Sequence, residues 1–132
     1  LSSLSAILLD DVYYNYMIEN SVTESDIHHA NTNALICLKA KAFLEISERI
    51  AKGGKEDPKH LNKHKGDVFR LALMLAEGDK FELPELIKGH MQTFSDTIAD
   101  NLPDKNIFKL MGAPGIDPAK VHEQIKKNFG LT

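Results

Sequence analysis

The feature that most constrains this chain is its punctuation. Gly53-Gly54, Asp57-Pro58, Gly78-Asp79, Leu83-Pro84, Pro103-Asp104 and Asp117-Pro118 divide it into blocks of helical length. An Asp-Pro pair starts a helix, because the carboxylate accepts from free N–H groups of the first turn and the proline ring is preset for the first helical position. A glycine pair stops one, because glycine enters the left-handed conformation without a Cβ clash. The spacing therefore predicts four principal helices over about 34 to 52, 58 to 77, 84 to 102 and 117 to 129, with a shorter helical piece at 107 to 111. Asn31-Thr32-Asn33 supplies N-cap chemistry for the first of them. Upstream, LSSLSAILL (1 to 9) alternates like a strand running into a helical start, and Asp10-Asp11 before an aromatic run suits a short helix with favourable N-terminal charge. Residues 27 to 30 suit a short strand. The expected class is mainly α: a helical bundle of about four helices with a small N-terminal β element, in one domain over 1–132.

Composition narrows the function classes. With 42% apolar residues, 27% charged residues and a net charge of −3, the chain has no global attraction for nucleic acid or an anionic membrane, so any nucleotide contact must be local. The single cysteine, Cys37, excludes an internal disulfide and a Cys-rich zinc module, which fits a cytoplasmic protein. No apolar run approaches 18 residues, so no membrane association is expected. The chain opens at Leu1 without an initiator methionine, which reads as the continuation of a longer protein.

Two polar residues stand where apolar ones belong. Turning residues 34 to 52 by about 100° per step gathers Leu35, Ile36, Ala42, Phe43, Ile46 and Ile50 on one side, and Lys39 falls inside that arc. An ammonium there either snorkels out along its stem or finds an anion. On residues 58 to 77 the arc is Leu61, Val68, Leu71, Ala72 and Leu75; His64 points into it, with His60 and Asp67 at its edge. His60, His64 and Asp67 have the spacing to converge on one side of a helix, yet no glutamate adjoins the first histidine as in the zinc-protease motif. His64 then reads as a core histidine, and no metal ligands are assigned. Lys63, four residues before Asp67, offers it a surface ion pair. The glycine pair at 53 and 54 makes the two helices antiparallel neighbours.

The run ALICLKAKAFL (34 to 44), Glu48-Arg49 and KHKGDVFRL (63 to 71) together resemble the later part of the nucleotidyltransferase-fold family that includes the abortive-infection (AbiE-type) toxins. The resemblance covers about residues 4 to 75. It implies that residues 1–33 are the remnant of the nucleotidyltransferase sheet region and 34–132 a helical C-terminal region of an α+β enzyme. It makes Lys39 and Asp67 the catalytic pair, Lys39 facing the phosphates, with Arg49 and Lys65 as secondary nucleotide-binding residues. The implied reaction moves a nucleoside monophosphate from a nucleoside triphosphate, with Mg2+, to an unknown acceptor such as RNA or protein, and implies an antitoxin as partner. The Gly-Ser loop and Asp-x-Asp strand that this chemistry requires are missing from the chain; Asp10 and Asp11 are adjacent, so on a strand they would face opposite sides. The chain alone is thus expected to carry no cofactor and to be inactive. The alternative is a non-catalytic helical interaction module in which Lys39 merely snorkels.

Overall fold

The computed structural model describes residues 3–24 and 27–132. It is mainly helical, as the punctuation predicts. The elements are α1 (Ser3–Ile7), α2 (Asp11–Glu19), β1 (Ser21–Glu24), β2 (Ile27–Ala30), α3 (Thr32–Ala51), α4 (Pro58–Ala72), α5 (Glu85–Ile98), a 3-10 helix (Lys105–Met111) and α6 (Pro118–Asn128). Four aspartates cap as their positions dictate: Asp10, Asp57, Asp104 and Asp117 each accept from backbone N–H groups two or three residues on. The glycine pair is required at its turn. Gly53 has φ +85°, and a Cβ on Gly54 would sit 2.8 Å from the Arg49 carbonyl oxygen that its own N–H reaches.

Three expectations are corrected. The strand read into residues 1 to 9 is the helix α1: Leu4, Ile7 and Leu8 have the i, i+3, i+4 spacing that puts all three against the core, and this outranks the alternation. The small N-terminal β element is present as expected: β1 and β2 form an antiparallel pair, Ser21 opposite Ala30, and strand content is confined to this pair among the described residues. The second long helix ends at Ala72 rather than near 77. There the ladder tightens to three-residue bonds, Leu73 N–H to Arg70 O and Met74 N–H to Leu71 O. Side chains of α6 take the next carbonyls: Gln124 Nε2 donates to Ala72 O and Leu75 O, and Asn128 Nδ2 donates to Ala76 O and Asp79 O. Asn31 makes no side-chain cap; its neighbour Asn33 is buried instead, donating to Tyr16 Oη at 2.9 Å and Asn20 Oδ1 at 3.0 Å and so tying α2 to α3.

α3 is the central helix, touched by α1, α2, α4 and α5, and its first half is buried almost all round. Phe43 meets Phe94 of α5 edge to face, and Phe69 of α4, Phe108 of the 3-10 helix and Phe129 after α6 are fully buried in the same core. The buried face of α4 runs through Lys65, Gly66, Val68, Phe69 and Ala72, with Leu61, Leu71 and Leu75 at its margin. That rotation of the expected arc turns Asp67 towards α3.

Candidate functional site

α3 and α4 run antiparallel about the Gly53-Gly54 turn, and their largest shared face carries the charges singled out above. Lys39 Nζ lies 3.1 Å from Asp67 Oδ2, each side chain only 20% exposed. Arg70 Nη2 donates to the other oxygen, Asp67 Oδ1, at 2.7 Å. The carboxylate is therefore shared by an ammonium from α3 and a guanidinium one turn along its own helix. Burial raises the Asp67 pKa, but the hydrogen bonds from Arg70 and Lys39 and their charges outweigh it and hold the carboxyl below its ordinary value. It is Lys39 and Arg70, not Lys63, that come within ion-pair distance of Asp67 among the described residues.

His64, one turn before Asp67, has its Nδ1 buried with no hydrogen-bond partner among the described residues. Burial, then the neighbouring Lys39 charge, push its pKa down, against a smaller opposing pull from Asp67, so the ring is neutral at pH 7. His60 does not converge with them. It is 58% exposed, with Nδ1 3.7 Å from Glu56.

The two secondary candidates lie elsewhere. Lys65 is buried and gives its ammonium to the Asn101 carbonyl at 2.9 Å, where it holds the chain leaving α5; burial lowers its pKa. Arg49 sits ten residues past Lys39 on α3, about 15 Å along the axis, and its Nε donates to Glu56 at 2.9 Å. Arg70 is the residue that sequence reasoning missed. Its signal was the three-residue spacing from Asp67 in KHKGDVFRL, overshadowed by the lysines at 63 and 65.

Two further polar pairs are structural. Ser95 Oγ and His122 Nε2 are 2.8 Å apart but both residues are buried, and Tyr13 Oη meets His90 Nδ1 at 2.8 Å between α2 and α5. Burial also pushes the Cys37 thiol up, which leaves it a poor nucleophile. An open groove of about 960 Å³ between the end of α4 and α6, lined by Leu73, Glu77, Ile116, Lys120, Gln124 and Lys127, does not include Lys39 or Asp67.

Among the described residues no three His, Cys, Asp or Glu side chains gather as metal ligands. Asp67 offers one carboxylate that two cations already share, so a hard dication demanding several oxygen donors does not fit these residues. Comparison with protein-family models, with curated proteins and with solved structures returned no match. The arrangement by itself can present two oriented cations to an anion, with the neutral imidazole of His64 one turn before Asp67 on α4.

Proposed function

We propose that this chain is the helical C-terminal portion of a nucleotidyltransferase that moves a nucleoside monophosphate from a nucleoside triphosphate to an acceptor nucleophile on RNA or protein. One observation supports the reading above the others: the two residues that the AbiE-type resemblance selects, Lys39 and Asp67, lie 28 positions apart in sequence and meet at 3.1 Å across two helices. In the reaction the acceptor atom bonds to the α-phosphorus, the bond from that phosphorus to the bridging oxygen breaks, and pyrophosphate leaves while the acceptor loses its proton. Lys39 supplies fixed positive charge where negative charge accumulates on the triphosphate, and Asp67 orients that ammonium. The phosphate-gripping Gly-Ser loop and the magnesium-binding Asp-x-Asp strand then belong to a longer protein, which acts in the cytoplasm and is held in check by an antitoxin; the chain alone is inactive. No helix among the described residues is long and apolar enough to cross a membrane.

A second reading, a non-catalytic interaction module, draws on one observation. Tyr14, Ile18 and Val22 expose apolar surface along α2 and β1, each about half accessible. Label transfer from α-phosphate-labelled nucleoside triphosphate separates the two. In the longer protein, Lys39→Ala is expected to lower transfer roughly ten- to a thousandfold, about 1.4 to 4 kcal/mol at the transition state, with the melting temperature little changed. Unchanged transfer in a folded Lys39→Ala variant removes the catalytic reading.

A further inference from the structure

Resting on that reading, we propose that Arg70 is a second phosphate-binding cation of the site, posed by Asp67 and by the space that Gly66 leaves open. Three observations carry this. First, Asp67 holds one cation on each of its oxygens, Lys39 on Oδ2 at 3.1 Å and Arg70 on Oδ1 at 2.7 Å. The ammonium and guanidinium are thereby fixed side by side, and each bond to Asp67 uses only part of its donor set: an ammonium has three N–H donors and a guanidinium five. Second, the local balance is positive in a chain whose net charge is −3: Lys39 and Arg70 share a single carboxylate, and His64 adds no negative charge. Third, α4 contains a buried glycine in mid-helix. A Cβ at Gly66 would lie 3.1 Å from both terminal nitrogens of Arg70, so the guanidinium folds back over the one residue of the helix that lacks a side chain. A glycine inside a helix is destabilising relative to alanine. Here it lets the fork lie flat against the helix beside Asp67.

A planar fork and a point charge held together by one carboxylate match adjacent phosphoryl groups of a polyphosphate, which the guanidinium contacts in bidentate fashion. Lys65 and Arg49 do not take this place: one ammonium is spent on the Asn101 carbonyl and the other side chain sits among Glu45 and Glu56.

The test titrates the 132-residue chain with inorganic tripolyphosphate by calorimetry, with circular dichroism to confirm folding of every variant. Arg70→Gln and Lys39→Gln are each expected to weaken binding about tenfold or more, while Arg49→Gln binds as wild type. Arg70→Lys, which keeps the charge and loses the fork, recovers part of the loss. Gly66→Ala keeps every charge but crowds the guanidinium, and is expected to weaken binding by about twofold or more while stability holds or rises. Weakening in Lys39→Gln with wild-type affinity in Arg70→Gln overturns this inference and leaves the functional reading standing. Loss of neither, or no binding by the wild type at millimolar tripolyphosphate, overturns this inference, and label transfer in the longer protein then decides the functional reading by itself. Equal losses in Arg70→Gln and Arg49→Gln mean non-specific charge attraction and overturn the assignment of Arg70.

Discussion

Asp67→Asn isolates what the shared carboxylate does for the fold. The change keeps the size and a hydrogen-bonding oxygen but leaves Lys39 and Arg70, 20% and 30% exposed, facing each other without a counter-ion. At roughly 4 Å and an effective dielectric near 20 a pair of unit charges interacts by about 4 kcal/mol. Most of this is offset, because both cations and the carboxylate give up hydration on folding and the remaining exposure lets solvent screen them. Hydrogen bonds to charged groups retain about 1.5 to 3 kcal/mol net, and the asparagine keeps part of it, so the expected loss is about 1 to 2 kcal/mol. For a domain of this size that is a fall of about 4 to 8 °C in melting temperature. Lys39→Met should cost less, under about 1 kcal/mol, because Asp67 still has Arg70 and a buried unpaired ammonium is not left behind. The pH dependence gives the sign. The Asp67 pKa is depressed on folding, so its contribution is fully present above the ordinary carboxylate value and fades as pH falls through the depressed one. Urea denaturation of wild type and Asp67→Asn from pH 7 to pH 3 should therefore show a gap that is constant near neutrality and narrows below about pH 4. A variant as stable as wild type at pH 7, or a gap that ignores pH, would refute the shared-carboxylate account.

Phe69→Ala removes a ring that is 0% exposed in the last turn of α4, and chemical denaturation should show a loss of about 3 to 5 kcal/mol; a cost below about 1 kcal/mol would mean that the core lies elsewhere. His64, His90 and His122 all have pKa values lowered by burial first, then by Lys39, Lys41 and Lys126 respectively. Their neutral forms favour the fold, so stability should be level above about pH 6.5 and fall as the pH drops below it; melting temperatures that hold or rise from pH 7 to pH 5 would contradict this.

What the sequence determined by itself is the set of helices and the meeting of two of them. The aspartate caps at 10, 57, 104 and 117 act on N–H groups two or three residues away, and the Gly53-Gly54 stop acts within one turn, so these boundaries need no knowledge of the rest of the chain. Lys39 in an apolar arc and Asp67 at the edge of another were legible for the same reason, and an antiparallel turn between them was enough to bring the charges together. Tertiary structure decided the remainder. Leu4, Ile7 and Leu8 became a helix because α3 offered them a face to bury. The end of α4 at Ala72 depends on Gln124 and Asn128, about fifty residues on, taking the carbonyls that a longer helix would have used. Lys65 was claimed by the Asn101 carbonyl 36 residues away, which left Asp67 to Lys39 and Arg70. Capping and turn chemistry are local and so written in short words of sequence, whereas the choice among several candidate cations for one carboxylate is settled only when packing has fixed how each helix is rotated about its axis.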